Sequence, residues 1–391
     1  MLKTRARFDK SEIEQRQANV RAELMRRNLD CLIISDPANM YWLTGYDAWS
    51  FYVHQCIVIS QDDLFWFGRG IDAFGVELTT WLEKNNITTY PDDCVQSMEK
   101  HPMQILAKML QERKTEHSTV GIEKDNYYFS ARAAETLYGC LSNSRFVDAT
   151  GLVNWQRAVK SEQEIEYMQK AGKVIEKVYA DIIEFAEPGI KKSELVSKIY
   201  ASSILGTDDN YGDYPSIVPL IGTGIESAAC HMTWDGGKIE NNSITFLELA
   251  GAYARYHCPC SRTLCFGEVK KEYLEIEKVI SEAIDAVFEQ FKPGNTCADL
   301  ANTFSKIITQ YGYEKNNRCG YSIGASYPPD WGERTMSLRE DDDTVLEKNM
   351  SFHFMPAIWF EDWGFEMTES VLVGDNGAIA LSNVPRKLLI K

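Results

Sequence analysis

The sequence predicts a mixed α/β protein of two domains, a smaller one over residues 1–154 and a larger one over residues 155–391. Three observations predict this class. Helical and strand patterns alternate through the first part of the chain, as they do in α/β domains. A long helix with its own start signal opens the second part. Two similar helices in the second part each end in a Pro-Gly pair, which indicates an internal repeat with pseudo-twofold symmetry.

The N-terminal part begins with a charged amphipathic pattern that predicts a helix over residues 11–28. Short apolar runs rich in β-branched and aromatic residues follow and predict strands. These strands are residues 31–35, 56–60, 64–67 and 120–123. Their alternation with helical segments predicts a parallel or mixed sheet.

The pattern changes near residues 154–157, where we place the domain boundary. Ser161 followed by Glu164 forms a capping box, which predicts the start of a long helix. Apolar residues then recur on one helical face until Pro188-Gly189. They are Ile165, Met168, Ala171, Ile175, Val178, Ile182 and Phe185. This helix is therefore expected to pack on a sheet.

A second amphipathic helix further along the chain ends in the same way, at Pro293-Gly294. Each Pro-Gly pair is followed after the same interval by an acidic residue and a leucine that open another helix. These dipeptides are Glu194-Leu195 and Asp299-Leu300. Strand patterns lie at residues 244–250, 262–267, 350–355 and 367–373. This repeated pattern predicts two similar α/β halves.

The charge balance excludes one class of partner. Lys plus Arg number 41 and Asp plus Glu number 57, which gives a net charge of −16. Such a surface repels phosphate backbones, so we expect no nucleic-acid partner. The chain lacks the apolar run of about 20 residues that a membrane-spanning helix needs, and its first residues carry positive charge without an apolar segment. We expect a cytoplasmic protein without a membrane partner.

The ten cysteines are scattered, and no CxxC pair is present to mark a zinc site. Cys258 and Cys260 are the closest pair and share one face of a predicted strand. We interpret them as small buried hydrophobic residues, the alternative being a reactive thiol. The pattern suits a reducing compartment.

Glu248 is a single carboxylate within an apolar predicted strand. Burying it without a partner would cost several kcal/mol, so it needs either a partner or a function. The structural alternative is a buried salt bridge to Arg255 or Arg262. Because interior carboxylates with perturbed ionisation cluster at functional sites, the functional interpretation is favoured.

Two histidines are further candidates. His353 lies between Phe352 and Phe354, where a core histidine is the alternative interpretation. His231 follows the glycine-rich segment 222–224, where chemistry often gathers, although this segment could be only a turn. Glu366 and Glu369 fall on opposite faces of the last predicted strand, so we expect Glu369 to point inward and Glu366 to be solvated.

Aromatic residues are dense in three stretches, at residues 49–54, 65–67 and 327–331. Most are expected to belong to the core. A group of aromatic faces and carboxylates is nevertheless what a small organic cation requires, through cation–π contact and ion pairing.

These features together resemble the pita-bread family of creatinases and aminopeptidases. The resemblance rests on residues 155–161, the Pro-Gly helix ends, Glu248 and Arg262-Thr263, and it spans essentially the whole chain. It implies a creatinase-like N-terminal domain and a C-terminal pita-bread domain. Metal-dependent members hold two ions with five residues. The corresponding positions here are Glu248, Pro259, Tyr321, Met355, and Thr368 or Glu369.

Proline has no side-chain donor and methionine is a weak, soft ligand for hard divalent ions. The resemblance therefore implies a site without metal and without any other cofactor. Creatinase departs from the metal pattern in a similar way, and its catalytic histidine corresponds to His231.

Residues 45–55, 256–259 and 326–334 are similar to the ectoine hydrolases of this family. This similarity implies a zwitterionic cyclic amidine as substrate, namely ectoine, with 5-hydroxyectoine left open. Glu248 would attack the amidinium carbon or activate the attacking water, and His231 would pass a proton to the leaving nitrogen. The implied substrate contacts are Trp49, Tyr52, His54, Tyr321, Trp331, Arg334, Arg339, His353 and Glu369.

Dimers are usual in this family, so the resemblance also implies a homodimer in which Trp49, Tyr52 and His54 act on the partner's pocket. Three alternatives stay open. They are a creatinase-like amidinohydrolase, a lyase resembling the dimethylsulfoniopropionate lyases, and a ligand-binding protein without catalysis.

Overall fold

The computed structural model describes residues 5–113 and 117–391. The chain forms two compact units, Met1–Arg157 and Ala158–Lys391. The division falls after Arg157 and not after residue 154, because Arg157 donates a hydrogen bond to Asn39 of the first unit (2.7 Å). Leu152 and Val153 also belong to a hydrophobic core of that unit.

The first unit is a sheet with helices on both faces. Its helices are α1 (Lys10–Arg26), α2 (Pro37–Thr44), α3 (Ala73–Thr79), α4 (Pro102–Glu112), α5 (Ala131–Cys140) and α6 (Leu152–Gln156). Its strands are β1 (Cys31–Ile34), β2 (Cys56–Ser60), β3 (Leu64–Arg69), β4 (Ile87–Tyr90), β5 (Thr119–Ile122) and β6 (Arg145–Asp148). The strand order is β4-β3-β2-β1-β5-β6.

This sheet is mixed, as predicted, because β2 runs antiparallel to β1 and β3 while the other neighbours are parallel. Alternate residues of β1 enter different cores: Leu32 and Ile34 face one, and Cys31 and Ile33 face the other. The predicted strands are confirmed to within one or two residues. Strands β4 and β6 were missed because they lie at the sheet edges and are partly exposed, so they lack an apolar run.

The second unit has two sheets, a two-stranded ribbon and two helix pairs. The helices are α7 (Glu162–Phe185), α8 (Lys192–Leu205), α9 (Lys271–Phe288) and α10 (Cys297–Gln310). The first sheet has the order β17-β9-β8-β7, with β7 (Leu220–Thr223), β8 (Ser243–Tyr253), β9 (Tyr256–Phe266) and β17 (Leu389–Ile390). The second has the order β11-β10-β12-β15-β16. Its strands are β10 (Gly320–Ile323), β11 (Gly332–Ser337), β12 (Ser351–Phe354), β15 (Glu369–Val373) and β16 (Ala378–Ala380), and the ribbon is β13 (Ala357–Trp359) with β14 (Gly364–Glu366).

Each half contains a pair of packed helices, α7 with α8 and α9 with α10, which is the predicted repeat. Helix α7 begins with the predicted capping box, in which Ser161 Oγ accepts from the Glu164 amide (3.2 Å) and the Ser161 amide donates to Glu164 (3.0 Å). It packs on β8 and β9. A Cβ atom at Gly251 would lie 2.1 Å from the carbonyl oxygen of Ala171, so glycine permits this close approach.

The predicted strand 367–373 is interrupted. β14 ends at Glu366 and β15 begins at Glu369, and the two residues between them join the ribbon to the second sheet. The Thr368 amide donates to the Ser261 carbonyl of β9 (3.1 Å), and the Ser261 amide donates to Thr368 Oγ1 (2.8 Å). This break determines the geometry of the candidate site.

Cys258 and Cys260 are fully buried in β9, as predicted, and burial raises the pKa of both thiols far above its ordinary value. Across residues 5–113 and 117–391, no helix combines the length and the apolar character that crossing a membrane requires.

Candidate active site

Glu248 lies in the middle of β8, directly opposite Ser261 of β9, and only 5% of its surface is exposed. No side chain among the described residues forms an ion pair with it. Arg255 instead approaches Asp213 and covers the ring of Tyr214 at 3.8 Å. The structural alternative of a salt bridge from Glu248 to Arg255 or Arg262 is therefore wrong.

Arg262 is the buried partner of Glu369. The two side chains form an ion pair with 0% and 2% exposure, and Arg262 also donates to four backbone carbonyls. The inward position expected for Glu369 is confirmed, but its carboxylate is already occupied. The structure thus gives Glu369 a structural partner where the resemblance implied a substrate contact.

This assignment predicts that Glu369→Gln lowers the free energy of unfolding by ~2–3 kcal/mol, because Arg262 would keep a buried charge without its counter-ion. Urea denaturation measures the change. The control is Asp375→Asn, which breaks the exposed pair with Lys348 and should cost under ~1 kcal/mol. Equal effects for the two variants would contradict a structural role for the buried pair.

Glu366 is also buried, with 1% exposure, so the expectation that it is solvated is wrong. Strand alternation does not continue through the break at Met367-Thr368, and both carboxylates turn inward. The Oε2 atom of Glu366 has no hydrogen-bond partner among the described residues. Its apolar neighbours, Phe365 and Met367, resemble the surroundings of Glu248 in the sequence and were the signal that could have identified it.

Burial raises the pKa of Glu248 to about 7. Burial and then the charge of Glu248 raise the pKa of Glu366 well above its ordinary value, whereas the charge of Lys315 and the Ser261 hydroxyl oppose the rise. Two nearby carboxyls in a poorly solvated site cannot both ionise readily. The pKa values of both carboxyls therefore lie above the ordinary range, and the two groups ionise in separate steps.

Lys315 lies beside this pair and was missed at the level of sequence. Its Nζ donates to the carbonyl of Ala357 (3.0 Å), which pairs with Glu366 across the β13–β14 ribbon. Burial lowers the pKa of Lys315. It precedes β10 in a polar loop, where no pattern distinguishes it from a solvated lysine.

A buried polar cluster adjoins the carboxyls. Trp331 Nε1 donates to the Tyr321 hydroxyl (2.7 Å), which lies 3.2 Å from His353 Nδ1. His353 Nε2 lies 2.7 Å from Thr368 Oγ1. The charge of Glu248 adds to burial in raising the pKa of Tyr321, which places the phenol near that carboxylate. The structure thus brings Tyr321, Trp331 and His353 together, and both ring nitrogens of His353 already face protein hydroxyls.

His231 is exposed and follows Cys230 on the segment beside β7. Thr233 pairs with Leu220, and Leu220 pairs with Glu248, so this segment runs beside the strand next to Glu248. Burial, and then the charges of Glu366 and Glu248, raise the pKa of Cys230. His231 therefore lies on the segment that borders the carboxyl pair.

The arginines predicted to bind an acid group are both exposed. Arg339 donates to Ser337 Oγ (3.1 Å), and Arg318, which sequence reasoning missed, donates to the same atom (3.2 Å). Arg318 also covers the Tyr321 ring at 4.3 Å. A cavity of about 670 Å³ is lined by Lys315, Arg318 and Arg339 among other residues, but not by Glu248. Glu340 and Asp341 line the same cavity, and Asp341 lies 3.8 Å from Arg339, so its lining carries charges of both signs.

Trp49, Tyr52 and His54 belong to the first unit. Trp49 and Tyr52 are 58% and 66% exposed, and the His54 ring packs against His101 at 4.7 Å. Large exposed aromatic side chains are available to contact another surface. Their action on a partner's pocket stays a prediction.

Comparison with known proteins identifies the family. Residues 16–159 match the creatinase/prolidase N-terminal domain, and residues 166–375 match metallopeptidase family M24. The chain belongs to metallopeptidase family M24.

Among curated relatives of this M24 chain, the ectoine hydrolase of Halomonas elongata is 48% identical and the alignment covers 100% of both chains. The Xaa-Pro dipeptidase of Pyrococcus horikoshii is 25% identical over 71% of this chain and 83% of its own. The solved prolidase of Thermococcus sibiricus superposes with a TM-score of 0.85 at 18% identity, covering 97% of this chain and 99% of the other. The similarity to the prolidase structure shows that the two chains share a fold.

The donor atoms of this M24 chain do not suit a pair of hard metal ions. Pro259 offers no side-chain donor, and the hydroxyls of Tyr321 and Thr368 are engaged in the polar cluster. Met355 offers only a soft sulfur. In the part of the chain that the structure describes, no three His, Cys, Asp or Glu side chains come together as a metal site would need.

Proposed function

We propose that this protein hydrolyses ectoine, opening the cyclic amidine to N-acetyl-L-2,4-diaminobutyrate. One observation carries the proposal: Glu248, a buried carboxylate that forms no ion pair with any described residue, lies near a second buried carboxyl, Glu366, whose pKa is raised by burial and by the charge of Glu248. Such a pair can stabilise a bound organic cation and exchange protons with it. The 48% identity to an ectoine hydrolase over the whole chain supports this substrate.

The chemistry of the site suits each part of a zwitterionic amidine. The ionised Glu248 would pair with the amidinium, whose positive charge in turn favours ionisation of the carboxyl. Tyr321 and Trp331 supply aromatic faces for a planar cation. The substrate carboxylate would bind an arginine, for which Arg334, Arg339 and Arg318 are the candidates.

Hydrolysis adds one water across a ring C–N bond. The amidinium carbon gains an oxygen, the C–N bond breaks, and the leaving nitrogen takes a proton. Glu248 would attack that carbon as a nucleophile or remove a proton from the attacking water. The proton for nitrogen would come from His231 or from the protonated Glu366.

We also propose that the reaction proceeds without a metal. An amidinium carbon is already electrophilic, so no Lewis acid is needed to polarise it, and the donor set described above does not fit a dinuclear site. A cytoplasmic homodimer, in which Trp49, Tyr52 and His54 approach the partner's pocket, completes the proposal. The exposure of Trp49 and Tyr52 supports it.

The deciding experiment is an assay of purified protein with ectoine, 5-hydroxyectoine and creatine, with and without exhaustive EDTA. We expect ectoine to be opened at the same rate in both conditions, with less than one transition metal per chain by elemental analysis. If the protein turns over creatine and not ectoine, creatine is its substrate. Activity lost to EDTA and restored by manganese or zinc would overturn the metal-free mechanism.

A further inference from the structure

His231, one of the two candidate proton donors, lies on a surface segment of the second unit. We call residues 224–237 the strap, and His231 lies in it between Glu226 and Asp235. Residues 228–237 are all exposed or half-buried, so hydrophobic burial contributes little to holding them in place. The position of the strap therefore depends on a small number of polar and backbone contacts.

On one side the strap runs along β7, which pairs with the strand of Glu248. The Ile221 amide of β7 donates to the carbonyl of Met232, the residue directly after His231 (2.9 Å). Leu220, the residue before Ile221, pairs with Glu248 of β8. The distance between His231 and Glu248 is therefore set by where the strap lies on β7.

On its other side the strap contacts β14, the strand that ends at Glu366. The Gly364 amide of β14 donates to the Ser227 hydroxyl (3.2 Å). A Cβ atom at Gly364 would lie 2.4 Å from the Ser227 carbonyl oxygen, so glycine permits this close approach. The strap thus borders the strands of both buried carboxyls.

A buried lysine binds the strap near both of its ends. Lys192 is the first residue of α8, and its side chain is 3% exposed. Its Nζ lies 2.7 Å from the Glu226 carboxylate and 2.9 Å from the Asp235 carboxylate. The Lys192 amide also donates to the Gly237 carbonyl (2.8 Å), and the Gly237 amide donates to Asp235 Oδ1 (2.7 Å). The ammonium of Lys192 thus closes residues 226–235 into a loop.

The burial of these three charged groups decides what loss of the ammonium would do. The side chains of Glu226 and Asp235 are 30% and 62% exposed, so water can solvate both carboxylates when Lys192 is replaced. Two carboxylates that share no cation also repel each other. Removal of the ammonium is therefore expected to open the strap and to leave the sheets and helices of the second unit intact.

We infer that Lys192 is a positioning residue, which clamps both ends of the strap and thereby holds His231 beside the carboxyl pair. The inference rests on the proposed function for its catalytic meaning, because His231 acts there as the proton donor to the leaving nitrogen. Lys192 acts through the strap, since its own ammonium is occupied by the carboxylates of Glu226 and Asp235.

The first test measures amide hydrogen exchange in the free protein and needs no substrate. Lys192→Met keeps an unbranched side chain and removes the charge, so peptides covering residues 226–235 should exchange about tenfold faster than in the wild type. Peptides from α9 and α10 should exchange as before. Lys192→Arg, which keeps the charge, should retain the wild-type exchange of the strap. Unaltered exchange of the strap in Lys192→Met overturns the inference.

Two further variants keep this test decisive. Lys271→Met breaks an exposed ion pair with Glu275 on α9 and should leave exchange of the strap unchanged. If Lys192→Met does not fold, the double variant Glu226→Gln/Asp235→Asn removes the same two ion pairs from partly exposed positions. The strap of that double variant should also exchange about tenfold faster, and wild-type exchange there would equally contradict the clamp.

The second test is a double-mutant cycle with ectoine as substrate. A small displacement of a catalytic group lowers turnover strongly, so Lys192→Met should lower kcat about 10- to 100-fold with little change in KM. Lys192→Arg should restore most of this loss. In a His231→Ala background, Lys192→Met should change kcat by less than about twofold, because the strap then carries no proton donor to displace.

The outcomes separate the clamp from the proposed function. Additive losses of kcat from Lys192→Met and His231→Ala refute a role of Lys192 through His231, and so does wild-type kcat in either single variant. Absence of any ectoine turnover by the wild-type protein refutes the proposed function. The exchange measurement then still decides whether Lys192 holds the strap.

Discussion

Replacement of Glu248 by Gln is expected to lower kcat for ectoine ring opening by about 10³-fold or more. The amide can neither attack the amidinium carbon nor accept a proton from water. Because Gln has the same shape and no charge to bury, the fold should persist. Initial rates of ring opening, followed by chromatography of substrate and product, measure the loss.

Thermal unfolding gives an independent check on this variant. The folded-state pKa of Glu248 is raised to about 7, above its ordinary value, so the folded state loses stability as the pH rises from that ordinary value through about 7. The Gln variant has no such group to ionise. Its Tm should therefore equal or exceed that of the wild type at pH 8, with a smaller difference at pH 5.

The matched control for this experiment is Glu268→Gln, which changes an exposed carboxylate just beyond the end of β9. We expect this variant to retain wild-type activity, because the carboxylate is solvated and remote from the polar cluster. Undiminished ring opening by Glu248→Gln would remove Glu248 from the mechanism altogether.

Glu366→Gln is expected to have the second largest effect, a fall in kcat of about 10²- to 10⁴-fold if Glu366 is the proton donor. In the wild type, activity should rise as the pH increases through about 7, where Glu248 ionises, and fall at higher pH as Glu366 loses its proton. The variant has no acid to lose, so the falling limb should disappear. The rising limb should stay near its wild-type position, because burial raises the pKa of Glu248 and burial is unchanged in this variant.

His231→Ala separates the two candidate proton donors. If His231 supplies the proton, its alanine variant loses activity while Glu366→Gln keeps a bell-shaped profile. If Glu366 supplies the proton, Glu366→Gln loses activity and the falling limb of its pH profile, whereas His231→Ala keeps a bell-shaped profile. A pH profile for Glu366→Gln that retains both limbs and the wild-type rate would assign Glu366 a purely structural role.

The sequence was sufficient to predict features that depend on local pattern. Residues 56–60 form a strand because a continuous β-branched run favours one, and Ser161 with Glu164 starts α7 because capping is a contact between near neighbours in the chain. Glu248 was identified as a functional candidate because a carboxylate in an apolar strand is costly in any fold. The loss of metal donors at Pro259 and Met355 followed from residue chemistry together with the family resemblance.

The tertiary structure alone decided which polar groups meet. Glu366 was interpreted as solvated because strand alternation was continued through Met367-Thr368, where the chain in fact leaves one strand pair and joins another sheet. Arg262 was a possible partner of Glu248 by proximity in a hairpin, yet its guanidinium binds Glu369, which is far from it in the sequence. Such contacts depend on how sheets pack, and no local pattern encodes them.

Glu248 illustrates both what the sequence determines and what only the tertiary structure decides. Its sequence context determined that it is buried and that burial must be compensated, because the cost of desolvating a carboxylate does not depend on the fold. Only the packing of β14 against β8 and β9 decided that a second buried carboxyl, Glu366, lies near it. The ionisation of a buried group is set by the charges and donors that surround it in space, and these come from distant parts of the chain.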